Sequence, residues 1–294
     1  MKVRGGVASP SARPKQALDY LLQSDSVRTN PYLRRFVEEE EELVSEFQHN
    51  PAFDRWRRKA SFKKELTEAY GALARIESRC LPRRSDKGAG LAFVDLCAGR
   101  GMLSIVLARR FPEAEIHMID NDARIKLDHL ASLPTVTSHL LDLHSDAAED
   151  VVSSATARNE TCVVVGVHLC GDLSRRAVQL WRRAGAAALV LSPCCLPRRR
   201  RHDVFGYHVI DQARRMRRDP HALWCSALFG LLPFDDRGAR CDMCVDDDVL
   251  GPYRTFLTAR WGEGREEEGE EGHERRRGGR VVAGKGAGKW RIVG

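Results

Sequence analysis

From residue 91 onward, apolar runs of strand length alternate with stretches long enough for a crossover helix, and few architectures accept that rhythm. The runs are Leu91–Leu96, Glu115–Asp120, Thr137–Leu141, Cys162–His168 and Ala187–Ser192. Neighbouring strands that run parallel need a connection of roughly a dozen residues or more, usually helical. The spacing therefore predicts a mostly parallel sheet covered by helices on both faces. Two weaker runs, Asp242–Val245 and Thr255–Trp261, bring the expected strands to seven.

Ahead of this region the period changes to that of a helix. Leu33, Phe36 and Val37 begin an apolar face, the run Glu38–Glu42 interrupts it, and Leu43, Val44 and Phe47 resume it. A second helical stretch follows Asn50-Pro51, with Phe53, Trp56 and Ala60, then Leu66, Ala69, Tyr70, Leu73 and Ile76. Asn50 suits a helix N-cap and Pro51 the first helical position. Such an amphipathic lead-in must bury its stripe on something, and the α/β domain that follows is the candidate. The expected organisation is a loose segment 1–30, a helical extension and linker 31–85, the α/β domain 86–262, and a disordered charged Gly-rich tail 263–294.

Composition narrows the setting. No run of about eighteen apolar residues occurs, which excludes a membrane-spanning helix. The chain of 294 residues carries nine cysteines without a secretory-type start, and they read as reduced thiols of an intracellular protein, cytoplasmic or nuclear. The start is basic and free of acids from Met1 to Leu18, which leaves organellar import open. A net charge of +7 favours an anionic partner such as nucleic acid. Nothing in the sequence indicates an oligomeric state.

The junction after the first strand carries the strongest chemical signal: Leu91-Ala-Phe-Val-Asp-Leu-Cys-Ala-Gly-Arg-Gly-Met102, leading into a helix expected over Met102–Phe111. Gly99 and Gly101 allow a tight turn and close approach of a ligand to the backbone. Asp120 ends the second strand, where a carboxylate can accept both hydrogen bonds of a ribose diol. A dinucleotide loop would read Gly-x-Gly-x-x-Gly, whereas this loop has Asp95 in front and no third glycine. An acid there suits the α-ammonium group of S-adenosylmethionine better than a pyrophosphate.

The loop resembles the first motif of class I S-adenosylmethionine-dependent methyltransferases. That resemblance implies a Rossmann-like fold, with Asp95, Cys97, Gly99 and Gly101 at the methionine end of the cofactor. It also implies that Asp120 holds the ribose, and that Asn121 and Asp142 lie by the adenine. The fourth strand ends in His168-Leu-Cys-Gly-Asp-Leu-Ser174 and the fifth in Ser192-Pro-Cys-Cys195. These turns are similar to those of the branch that includes the tRNA 2′-O-methyltransferases of the acceptor stem. After Cys195 this chain has Leu196-Pro197 and arginines, where those enzymes tend to have histidines.

Strand ends of an open parallel sheet are where ligands bind. His168 is therefore the candidate base and a cofactor neighbour, with Asp172 as second choice. Cys194 and Cys195 shape the pocket, or one of them attacks a pyrimidine ring. Cys241-x-x-Cys244 has metal-ligand spacing, but residues three apart on a strand face opposite ways, and adjacent cysteines sit awkwardly on one tetrahedral ion. Buried free thiols and no metal are expected. Arg198, Arg199, Arg200 and Arg201 follow the site directly and, with Arg214, Arg215, Arg217 and Arg218, fit a phosphate backbone. Trp181, Phe205, Tyr207 and Trp224 are either stacking surfaces or core. The expected activity is methyl transfer to RNA, with tRNA as one candidate. A protein or small-molecule substrate, and a non-catalytic cofactor-binding module, are the alternatives.

Overall fold

A computed structural model describes residues 21–57, 59–81, 87–196, 208–234 and 238–262, except the side chains of residues 55 and 57. The tail 263–294, Arg198–Arg201, Phe205 and Tyr207 lie outside the described residues. The strands are β1 Leu91–Leu96, β2 Glu115–Asp120, β3 Val136–Leu140, β4 Thr161–Cys170, β5 Ala188–Cys195, β6 Arg240–Val245 and β7 Thr255–Arg260. They form one seven-stranded sheet in the order β3-β2-β1-β4-β5-β7-β6, in which β7 runs antiparallel to both of its neighbours. Each strand lies within a few residues of its expected run. β1 is buried along its whole length, as a central strand covered on both faces must be.

The helices are α1 Ser26–Thr29, α2 Pro31–Glu39, α3 Glu41–His49, α4 Asp54–Arg57, α5 Phe62–Arg75, α6 Met102–Arg110, α7 Asp146–Arg158, α8 Asp172–Ala184, α9 Val209–Met216 and α10 Pro220–Phe229. None of the described helices is long and apolar enough to cross a membrane. Two apolar cores flank the sheet. One joins the sheet to α6 and the N-terminal helices, and the other joins it to α7, α8 and α10.

The N-terminal extension is a folded layer. The glutamate run breaks the first expected helix at Glu40, which leaves the helical region at ψ 48° and separates α2 from α3. Asn50 caps a short 3₁₀ turn, Pro51–Phe53, by accepting from the Ala52 amide. The second expected helix is thus split into this turn, α4 and α5. Phe36, Phe47, Phe62 and Tyr70 pack edge to face, so the pieces share one aromatic nucleus. The segment expected to be loose up to residue 30 is ordered in its described part. Leu21 is fully buried, and the Asn30 side chain accepts from Tyr32 and Leu33 to cap α2. A buried apolar side chain and a cap anchor this stretch where composition alone suggested a tail.

The extension is latched to the far end of the sheet. Buried Asp246, just after β6, accepts from Tyr32 Oη at 2.6 Å and pairs with Arg75 Nη2 at 2.9 Å. Asn30 Nδ2 donates to the Asp248 carbonyl at 2.5 Å. These contacts fix α5 across the C-terminal edge of β1 and β4, where the candidate site lies.

Candidate active site

The loop after β1 is a run of left-handed residues: Cys97 at φ 55°, Gly99 at φ 57° and Gly101 at φ 77°. Gly101 has a steric reason as well, because a Cβ there would lie 2.7 Å from Met118 Cε. At Gly99 a Cβ would meet nothing within 4 Å, so the backbone borders open space. Asp120 organises the turn from the next strand. Its Oδ2 accepts the Gly99 amide at 2.9 Å and its Oδ1 accepts the Asp122 amide at 2.9 Å. Each carboxylate oxygen keeps a further acceptor site for a ligand hydroxyl.

Gly99 stands between two cavities. A cavity of about 250 Å³ is lined by Lys64, Glu68, Asp95, Gly99, Val167 and His168, among others. A second, of about 150 Å³, lies on the other side, between Gly99, Asp120, Ile125, Leu127, Ser138 and His139. Together they fall within the roughly 300–1,000 Å³ of small-ligand sites. Asp95 and Asp120 end neighbouring strands of the same sheet edge, as the sequence reading required. Asp95 is buried, accepts from Ser104 Oγ at 2.7 Å, and burial pushes its carboxyl up to about 7. Cys97 borders the first cavity, and burial pushes its thiol up to about 12.

His168 lies on the wall of the first cavity in a left-handed conformation, φ 63°. The irregularity shifts the register of β4 on β5 between Val167 and Cys170. Facing it is a pair that sequence reasoning missed. Buried Glu68 of α5 brings Oε2 to 2.5 Å from His168 Nε2, while its Oε1 lies 3.0 Å from Lys64 Nζ. These are ion-pair approaches rather than aligned hydrogen bonds, since neither oxygen has a well-directed donor. A carboxylate on the inner surface of the amphipathic α5 was the available signal. Its partner is one hundred positions downstream, which no periodicity reveals.

Other expected residues are placed differently. Asn121 is exposed and lines neither cavity, because the chain turns outward after β2. Asp142 is also exposed and outside both, its Oδ1 occupied by the His144 amide in a local turn. The floor of the second cavity comes instead from the Ala123–Leu127 segment and β3. Asp172 heads α8 and pairs with Arg175 Nε at 3.0 Å, away from both cavities. Trp181 and Trp224 are fully buried and belong to the core.

The cysteines are only partly as expected. Cys241 and Cys244 do pack on opposite faces of the sheet. Cys194 is buried, and burial pushes its thiol well above the ordinary range, which disfavours it as a nucleophile. Cys170 and Cys195, however, are exposed. The strand ladder ends at Cys195, so strict alternation no longer governs its side chain, and all three sulfurs gather at the end of β4 and β5.

Residues 63–199 match a family model described as a methyltransferase domain. No curated protein matches the chain. Among solved structures, fibrillarin from Aeropyrum pernix in complex with natively bound S-adenosyl-L-methionine is similar at 13% identity and TM-score 0.41, covering 66% of this chain and 76% of that one. The antibiotic-resistance methyltransferase Kmr is similar at 14% identity and TM-score 0.40, covering 61% and 91%. The plantazolicin methyltransferase BpumL matches at 9% identity and TM-score 0.37, covering 81% and 94%. The matched stretch, residues 63–199, is a methyltransferase domain, built here on a sheet of the order given above with a left-handed loop between two acids.

Proposed function

We propose that the methyl acceptor is RNA and that the reacting atom is a ribose hydroxyl. The observation that carries this reading is an exposed arginine cluster that leads directly into a helix in contact with the C-terminal edge of the sheet. Arg214, Arg215, Arg217 and Arg218 are all exposed at the end of α9. Three residues further on, His221 contacts the Pro193 carbonyl at 2.9 Å, at the C-terminal end of β5. Four cations within five positions, tied to that edge, suit a phosphate backbone crossing it. Within RNA, tRNA is the class suggested by the His168–Ser174 and Ser192–Cys195 turns.

S-adenosylmethionine supplies a methyl group on a positively charged sulfur. The protein's part is to hold the acceptor in line and to remove its proton. In this reading Asp120 holds the ribose diol of the cofactor and Asp95 faces its ammonium. Glu68 Oε2 and Lys64 Nζ both lie against Nε2 of the His168 ring, at 2.5 and 3.3 Å, so Nδ1 is the nitrogen assigned to accept the hydroxyl proton, with the Glu68 carboxylate stabilising the imidazolium that forms. The test offers radiolabelled cofactor with total RNA, protein and metabolite fractions. Label in RNA, released as a 2′-O-methylnucleoside, is expected. Label only in protein or metabolites, or none in any fraction, overturns the reading. His168→Ala should lower the rate by about 100-fold or more. Full activity in that variant removes His168 as the base.

A further inference from the structure

We propose that Cys170, Cys194 and Cys195 together bind one zinc ion, with a fourth coordination position left open at the C-terminal edge of the sheet. The sulfurs form a nearly equilateral triangle: Cys170 to Cys194 is 3.2 Å, Cys170 to Cys195 is 3.4 Å, and Cys194 to Cys195 is 3.4 Å. An ion about 2.3 Å from each of three sulfurs so arranged sits ~1.3 Å above their plane. Tetrahedral thiolates around zinc lie ~3.8 Å apart, so the triangle opens by about half an ångström on loading. The chemistry of the set selects a soft, thiophilic cation, because all three donors are sulfur.

The backbone is irregular in the place this geometry requires. β4 and β5 are regular neighbours up to Val167 and Ser192, then the register shifts twice before Cys170 pairs with Cys195. His168 adopts a left-handed conformation within that shift, a conformation costly for a residue with a side chain. The Gly171 amide donates to the Cys195 carbonyl at 3.0 Å, which holds the two strand ends together below the sulfurs. The His168 carbonyl lies 3.2 Å from Cys194 Sγ and 3.7 Å from Cys170 Sγ. The segment carrying the candidate base is thus also the segment that gathers the thiols. Cys170 and Cys195 are exposed, so an ion has a route in and its fourth position faces outward. Three protein ligands with an open place are the arrangement of a site that handles water or a substrate atom, whereas structural zinc sites are closed by four. Each thiol gives up its proton to solvent as its sulfur binds.

Cobalt(II) serves as the probe, added to the reduced, metal-stripped full-length chain, because thiolate coordination gives it a charge-transfer absorption. One equivalent is expected to produce that band, and one equivalent of zinc to abolish it. The exposed positions are substituted in preference to buried Cys194. C170S and C195S should each weaken cobalt binding by at least tenfold while thermal unfolding stays that of the unaltered protein. The C241S/C244S double variant should bind as the unaltered protein does. The site is overturned if the unaltered, fully reduced protein shows no thiolate-to-cobalt band. It is equally overturned by a band that survives in a C170S/C195S double variant, or by one that disappears in C241S/C244S. Methyl transfer is not the readout, so loss of the RNA reading leaves this result intact.

Discussion

Asp95 occupies the C-terminal end of β1 at 3% exposure, with Ser104 Oγ donating to it and the Asp120 charge nearby. Burial outweighs the hydrogen bond, and its carboxyl rises from 3.8 to about 7. The folded state therefore holds a proton that the unfolded chain has released. The resulting stabilisation is complete below about pH 4 and is lost as pH rises through about 7. Asp95→Asn should flatten this part of the stability–pH curve, measured by thermal unfolding across that range. A bound ammonium group inverts the preference, because the ionised carboxylate is then the favoured form. Affinity for S-adenosylmethionine should accordingly fall about tenfold for each pH unit below 7. Calorimetry over about pH 5.5 to 8.5 checks it. An affinity flat over that interval removes Asp95 from the methionine end.

At the scale of elements, α5 is the piece that turns a bare sheet edge into an enclosed cavity, and its seat depends on Gly71. A Cβ at that position would lie 2.8 Å from Val249 Cγ2 and 3.1 Å from Phe256 Cζ, both on buried side chains that have little room to yield. Gly71→Ala gains about 0.5–1 kcal/mol of helix propensity but incurs about 1–3 kcal/mol of overpacking. Net destabilisation of about 1–2 kcal/mol is expected, read as a melting temperature lower by several degrees. Val249→Ala in the same chain should restore most of it. Turnover should drop with Gly71→Ala, because Glu68 and Lys64 ride on the displaced helix. The strands themselves were legible, since apolar runs such as Leu91–Leu96 declare a strand buried on both faces. Asp95 and Asp120 were legible because a strand end is a local feature. Glu68 opposite His168 was not, since it depends on where two elements dock. The turns carrying Cys170 and Cys194-Cys195 were legible as neighbours on one sheet edge, but the meeting of their three sulfurs was not, because a register shift between strands leaves no trace in spacing. Asn121 and Asp142, which the motif resemblance puts by the adenine, are exposed and line neither of the two cavities, since a loop position depends on local turns that spacing does not disclose.

For the whole molecule, the question is how a chain with 48 basic and 41 acidic side chains presents its excess charge. Spread evenly, a net +7 would give weak and unselective attraction to any anion. The described surface is not even. Arg175, Arg176 and Arg183 on α8 are matched by Asp172 and Glu149, and Arg35 and Arg110 share Glu77. Arg214 has Asp211 as a partner, but the cluster Arg214–Arg218 carries four cations without an acid among them until Asp219, which caps α10. Replacing Arg214, Arg215, Arg217 and Arg218 by alanine should leave the fold unchanged, as exposed substitutions usually do. It should also leave S-adenosylmethionine affinity unchanged, because none of the four lines either cavity. Affinity for RNA should fall, and its dependence on salt should flatten. Each single-strand phosphate no longer neutralised by an arginine takes about 0.7 off the slope of log affinity against log salt. Removing all four cations would thus reduce the slope by about 3. Measured by fluorescence anisotropy on a tRNA transcript at several salt concentrations, an unchanged slope would separate this surface from the substrate and leave the arginines as solvated charge.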